Sequence, residues 1–137
     1  MAKELNSDLG KLLLRISIGG LMVFHGLSKL YHGHDFIKKM LTSKNFPEYL
    51  WLGVPLGEVI APICILLGVF TRISSLLIAF TMLMTFYLVH GMECFTLSQT
   101  GGIKVELNLF YLITSLALFF LGTGKYSVYK GNNGFMM

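Results

Sequence analysis

Four long apolar stretches, separated by polar segments, dominate the pattern of the chain. The first runs from about Leu9 to Tyr31, with unbroken cores at Leu12–Leu14 and Ile16–Phe24. The second covers about Leu50 to Phe70, the third Ile73 to about Gly91, and the fourth Ile103 to about Gly122. A helix crosses the hydrocarbon core of a bilayer in about 20 residues, which each stretch supplies. The runs are too long and too uniformly apolar for the alternating strands of a membrane barrel. The pattern therefore predicts an all-α fold, an integral membrane antiparallel four-helix bundle. It forms a single domain over residues 1–137, with helices at about 9–31, 50–70, 73–91 and 103–122.

The connections fix how the helices run. His32 to Pro47 is a polar loop whose middle, FIKKML, suits a short interfacial helix. Thr71-Arg72 reads as a tight turn, so the second and third helices are expected to be antiparallel neighbours. Met92 to Gly102 is a second polar loop on the same side as the first. Gly122 and Gly124 follow the last apolar turn, where glycine stops helices.

Composition agrees with a membrane protein. Apolar residues make up 54% of the chain and charged residues 13%, against about 25% charged in soluble domains. The mean hydropathy is +0.68. The net charge of +4 comes from eleven scattered Lys and Arg residues. They form no aromatic-interleaved basic stripe, which argues against nucleic acid as a partner. Flanking the apolar runs, they act as membrane anchors, and the lipid bilayer is the expected partner. With the N-terminus inside, Lys3, Lys11, Arg15, Arg72, Lys125 and Lys130 lie inside. Lys29, Lys38, Lys39, Lys44 and Lys104 then lie outside, a balance that favours N-in, C-in. The first apolar segment carries Arg15 and His25 and no small-x-small cleavage site follows it, so it is expected to be retained. Cys64 and Cys94 form no CxxC pair and fall towards opposite ends of the bundle, which argues against a disulfide between them.

Against this background, five ionisable residues stand out: His25, Lys29, Glu58, His90 and Glu106. Charge in hydrocarbon is expensive and usually marks a pathway or a ligand site. The alternation of helix direction places all five within about 12 Å of the side bearing the two loops. His25 and Lys29 are spaced i, i+4 and share a face. Pro62 lacks an amide proton and so frees the carbonyl of Glu58, one turn back. A carboxylate beside irregular backbone is typical of a lined cavity. Gly53, Gly57 and Ala61 form a small-residue row that admits a close neighbour. Tyr87 lies on nearly the same face as His90, and Asn108 and Tyr111 add hydrogen-bonding capacity beside Glu106. Each residue also has a purely structural reading. Lys29 can snorkel, His90 can cap its helix at the interface, and His25 can be a satisfied core histidine. Glu106 can favour the dipole at a helix start. A Glu58–Lys29 ion pair can simply hold two helices together. Arg15 can snorkel or pair with backbone carbonyls.

The chain resembles the DoxX family of small membrane proteins. The resemblance rests on Leu12-Leu13-Leu14-Arg15-Ile16-Ser17-Ile18-Gly19 and Phe24-His25-Gly26-Leu27-Ser28-Lys29-Leu30 in the first helix. Glu58 and Leu67-Gly68-Val69-Phe70-Thr71-Arg72 carry it in the second. Val89-His90-Gly91, Gly102 to Glu106, and Leu121-Gly122-Thr123-Gly124-Lys125-Tyr126-Ser127 complete it. It implies four transmembrane helices in a bacterial inner membrane and a link to respiratory or thiol redox chemistry. Members of the family are described as quinone-linked oxidoreductase subunits or as membrane partners of soluble redox enzymes. The chain departs from the thiosulfate-oxidising type in lacking a second, soluble region.

Three functions compete. In the first, the loop-side cluster binds a quinone. Glu58, Glu106 and His25 then relay protons, and Lys29, His90, Tyr87, Asn108 and Tyr111 bind the ligand. No haem CxxCH and no dinucleotide glycine fingerprint is present, so electrons must come from a partner or a substrate. In the second, the protein is a non-catalytic scaffold or assembly factor, a subunit of a redox enzyme or a homo-oligomer. In the third, His90 and Cys94, spaced i, i+4, contribute to a metal site with His25, His32 and His34, at a spacing that matches no established motif.

Overall fold

The structure, a computed structural model, describes residues 6–129. Lys3 and Lys130, which enter the charge count above, lie outside the described residues. Helix α1 spans Ser7–His32. The Asn6 side chain accepts from the Leu9 amide at 3.2 Å and caps its first turn. Lys29 and His32 occupy its last turn, where positive charge favours the helix dipole. Helix α2, Asp35–Ser43, is the short helix expected from FIKKML. Helix α3 is a continuous helical run over Glu48–Leu67, and α4 is another over Thr71–Phe95. Helix α5 spans Glu106–Leu121. Among the described residues no strand forms, and the only β pairing is the isolated bridge between Leu97 and Ile103.

The bundle is all-helical, and α1, α3 and α4 are each long and apolar enough to cross a membrane. Helix α5, of 16 residues, is about 24 Å long and falls just short of the usual crossing length. The helices close a ring in which α1 packs on α3, α3 on α4, α4 on α5 and α5 on α1. The core at the centre draws on all four, including Ile18, Met22, Ile65, Ile78, Met82 and Leu118. Small buried hydroxyl residues, Ser74 and Ser75 on α4 and Thr114 and Ser115 on α5, let those two helices lie close. Large apolar side chains face outward instead. Phe24 is 74% exposed, Phe80 62% and Phe120 76%, a distribution suited to lipid and foreign to a water-facing surface.

Three boundaries differ from the sequence pattern for identifiable reasons. The turn between α3 and α4 is not Thr71-Arg72 but Gly68-Val69-Phe70. Gly68 (φ +73°) and Phe70 (φ +50°) are left-handed. Val69 N–H bonds Cys64 O and Gly68 N–H bonds Ile65 O, which closes the end of α3. Thr71 is buried as the first residue of α4, and its hydroxyl accepts from Thr123 Oγ1 at 3.0 Å. Helix α4 continues past Gly91 to Phe95 as a tighter 3₁₀ turn. Helix α5 starts at Glu106 and not at Ile103, because Ile103 and Lys104 are held by the pairing with Leu97 and Thr96.

The close approach of α1 and α3 depends on glycines the pattern did not single out. A Cβ on Gly26 would collide with the Glu58 carbonyl oxygen, and one on Gly19 would lie 2.8 Å from that of Pro62. In the expected row on α3, Gly57 does meet a neighbour, Thr81 of α4, and Ala61 is buried, but Gly53 faces open space.

At the end opposite the loops, Arg15 is 1% exposed. Its Nε donates to Ile65 O and its Nη2 to Leu66 O, both at 2.8 Å. Its Nη1 donates to Thr123 O and Tyr126 O. One side chain thus satisfies the last carbonyls of α3 and ties the tail beyond α5 to them. The expectation that Arg15 pairs with carbonyls is met, and nothing of it snorkels.

Gly26→Ala should lower the thermal stability of the detergent-solubilised protein by about 1–3 kcal/mol through overpacking. Gly20→Ala, where a Cβ meets nothing, should be neutral or slightly stabilising. Arg15→Leu should cost about 3 kcal/mol or more by orphaning buried carbonyls, and should speed tryptic cleavage after Lys125.

Candidate functional site

Glu58 lies on a wide, π-type turn of α3 over Leu56–Ile60, where the Ala61 amide bonds Leu56 O five residues back. Pro62 explains the irregularity, since it cannot supply the amide that Glu58 O would accept in an α-helix. The widened turn brings a carboxylate into the bundle at membrane depth. Glu58 is 1% exposed. Lys29 Nζ donates to its Oε1 at 2.6 Å, and the Lys29 side chain remains 42% exposed. The other oxygen, Oε2, is buried and has no hydrogen-bond partner among the described residues. A buried charged acceptor left unpaired is rare and calls for a physical explanation.

That oxygen belongs to a residue lining a cavity of about 780 Å³ at the loop-side end of the bundle, within the range of small-molecule sites. Its walls are mostly apolar. Met22 comes from α1, Phe80, Met82 and Met84 from α4, and Leu107 from α5. Helix α2 covers it with Phe36, Ile37, Met40 and Leu41, leaving Lys38 and Lys39 on its other face. The polar lining is sparse. Besides Lys29 and Glu58 it includes His25 and Ser28 of α1, Thr85 of α4, and Asn108 and Tyr111 of α5. The His25 and Tyr111 rings meet edge-on at 6.0 Å between centroids, across the α1–α5 seam.

Of the residues singled out by sequence, the cavity therefore gathers His25, Lys29, His32, Glu58, Asn108 and Tyr111. It does not gather Glu106, His90 or Tyr87. Glu106 is exposed and lies against Gly102 in the preceding loop. Tyr87 is 54% exposed, packs edge-on against Phe46 and sits beneath Lys44 Nζ. His90 ends a second wide turn, Phe86–His90, which no proline announces. A wide turn rotates the side chains on it away from an α-helical extrapolation. Cys94 Sγ contacts Phe86 O at 3.9 Å. Among the described residues no three His, Cys, Asp or Glu side chains are placed to share a metal ion. The cover supplied by α2 escaped the sequence reading. Its signal is the apolar face of FIKKML, which the sequence pattern marks only as a short interfacial helix.

A family model of DoxX matches residues 10–91, from the first turn of α1 to the end of the second wide turn. The chain belongs to the DoxX family. No curated protein and no solved structure matches it. The DoxX match takes in Arg15, His25, Lys29 and Glu58; Asn108 and Tyr111 lie beyond it. Within this DoxX protein the family-like motifs segregate by end. HGxxK, at His25 to Lys29, serves the cavity, and its Gly26 packs on the backbone of Glu58. GxxTR, at Gly68 to Arg72, and LGxGxYS, at Leu121 to Ser127, build the opposite end around Arg15.

The asymmetric exposure of the ion pair predicts an asymmetric mutational response. Lys29→Met strands a buried carboxylate and should cost about 3–5 kcal/mol. Glu58→Gln leaves a lysine that can reach water and should cost only about 1 kcal/mol. The double variant should recover most of the loss from Lys29→Met. Thermal melts of the three proteins in one detergent check the order.

Proposed function

We propose that this DoxX-family protein is the membrane component of a quinone-linked redox system in a bacterial inner membrane, with both termini on the cytoplasmic side. In this reading the cavity holds the head group of a quinone and the surrounding bilayer receives its tail. The observation that carries the proposal is the Lys29–Glu58 ion pair on the wall of a mostly apolar cavity of about 780 Å³ that also gathers His25, Asn108 and Tyr111. A purely structural ion pair needs no cavity next to it.

The donor set suits such a ligand. Lys29 uses one N–H on Glu58 and keeps others, and His25, Asn108 and Tyr111 can each donate. When bound, a quinone interconverts with its quinol by uptake or release of two electrons and two protons. The electrons are exchanged with a partner redox protein. In this reading Glu58 holds or passes a proton, with His25, one turn deeper on α1 than Lys29, and His32, at the loop-side end of that helix, as imidazoles on the same cavity wall. Lys29 orients the carboxylate and balances its charge. The apolar walls and the cover of α2 leave Glu58 and Tyr111 buried, while Lys29 and His25 keep contact with the surroundings.

A second reading has its own support. The 2.6 Å ion pair and the Gly26–Glu58 contact both join α1 to α3, as a scaffold or assembly subunit would require. Titration of a short-chain quinone and its quinol into nanodiscs separates the two. Saturable binding of either form, weakened about tenfold or more by Glu58→Gln with only the small fall in melting temperature expected of that substitution, supports the redox site, since a hydrogen bond to a charged group contributes about 1.5–3 kcal/mol. No binding, with a large fall in melting temperature on the same substitution, supports the scaffold.

A further inference from the structure

The ionisable groups on the cavity wall come from three helices. His25, Lys29 and His32 belong to α1, Glu58 to α3 and Tyr111 to α5. Among the described residues, α2 and α4 line the cavity without an ionisable side chain. On α1 the polar groups form a line. His25, Ser28, Lys29 and His32 are spaced i, i+3, i+4 and i+7, which is one helix face over two turns. They lead from membrane depth to the last residue of α1, at the loop-side end. His25, Ser28 and His32 are exposed and the Lys29 side chain is half-exposed, so each has room beside it for water.

The space opens along this line in one direction and ends in the other. Deep in the bundle, at Gly19 and Gly26, a Cβ on α1 would collide with the backbone of α3. At Gly33, directly after His32, a Cβ would meet nothing, and the same holds at Gly53 near the loop-side start of α3. Both of these glycines line the cavity. In the other direction a fully buried layer of Ile18, Ile65, Ile78 and Leu118 follows within one or two turns of the lining residues Met22, Glu58, Met82 and Tyr111. Beyond that layer, Arg15 closes the end with its donors spent on four carbonyls.

Resting on the proposed quinone-linked function, we propose that the cavity exchanges protons with the loop-side compartment alone, along the His25–His32 face of α1. Oxidation of a bound hydroquinone to the quinone releases two protons, which leave by this face, and two electrons, which pass to the partner redox protein. Reduction of the quinone reverses both. His25 is the inner imidazole of the route and His32 the outer one. The His32 Nδ1 lies 2.8 Å from Ser28 O, an atom that only accepts, so Nδ1 carries the hydrogen and Nε2 is the atom that takes up a proton. In the orientation proposed above, the loop-side compartment lies outside the cell.

The test is thiol labelling of the full chain in sealed liposomes, with a membrane-impermeant cationic methanethiosulfonate added outside. Labelling is read peptide by peptide in a mass spectrometer, so Cys64 and Cys94 stay in place. Lys39→Cys on α2 and Lys125→Cys on the tail report the fractions of molecules with the loop side and the opposite side outermost. Ser28→Cys should be labelled to the same fraction as Lys39→Cys. Gly20→Cys, on the same helix where a Cβ meets nothing, is the lipid-facing control and should stay unlabelled. His25→Cys is a second, deeper probe and should match Ser28→Cys; should it fail to fold, Ser28→Cys decides alone. Because the thiolate is the reactive form, lowering the outer pH by one unit should slow labelling of Ser28→Cys about tenfold, and the same change in the lumen should leave the rate unaltered. Labelling no greater than that of Gly20→Cys, labelling that follows the Lys125→Cys fraction, or a rate that follows the luminal pH overturns the loop-side route. Each leaves the quinone-linked function standing, since the quinone titration decides that separately.

Discussion

The constraint on which the loop-side half of the molecule depends is the cost of a carboxylate in hydrocarbon. Glu58 is tolerable there because three features coincide. Lys29 reaches it from α1 at 2.6 Å. Gly26, one turn earlier on the same helix, lets α1 come close enough for that reach. Pro62 widens the turn that carries Glu58 and aims it inward. Remove the glycine and the helices stand apart; remove the proline and the carboxylate rotates with the helix face. The pair is thus a product of α1–α3 packing as much as a cause of it. Its uneven exposure means that the energetic risk sits almost wholly on the glutamate.

The opposite end solves a different problem with a similar economy of means. Helix α3 must stop and turn back within three residues, and the Gly68 and Val69 amides fill only part of the hydrogen-bonding capacity of its last carbonyls. Arg15 supplies planar donors in several directions at once, which a lysine could not. By reaching Ile65 and Leu66 on one side and Thr123 and Tyr126 on the other, it makes the end of α3 and the tail after α5 a single unit. The Thr123–Thr71 hydrogen bond adds the start of α4 to it. Two chain segments distant in sequence, the end of α3 and the tail, converge on one guanidinium.

Much of this could be seen in the chain before its structure. The helices were legible because membrane spans are written as long apolar runs, and the irregular backbone at Glu58 was legible because proline carries its own geometry. The convergence of charged residues on one end followed from alternation alone. What alternation does not specify is rotation about each helix axis. His90 and Tyr87 share the right end with Lys29 and face elsewhere, since the wide turn beneath them has no proline to announce it. Glu106 fails for another reason. The Leu97–Ile103 pairing delays the start of α5, so the residue becomes the exposed opening of a helix and not part of its inner face. The Gly19 and Gly26 contacts were hidden because a glycine in an apolar run says nothing about what approaches it. For Arg15 the sequence left snorkelling and carbonyl pairing open and gave no sign of the link between α3 and the tail, because the tail's return path is not a local property of the sequence.

The two ends also explain each other. Irregular backbone at membrane depth survives only where protein or a lined cavity satisfies it, and both wide turns lie towards the loop side, at Leu56–Ile60 and Phe86–His90. A bundle loosened in this way at both ends would have no fixed register between α3 and α4. Arg15 and the short Gly68–Phe70 turn supply that register from the far side, so the helices can separate around the cavity without losing their pairing. The methionines on the cavity wall fit the same division, since their unbranched side chains repack around an occupant at little cost. Rigidity at the Arg15 end is what permits an open, adaptable space beside Glu58.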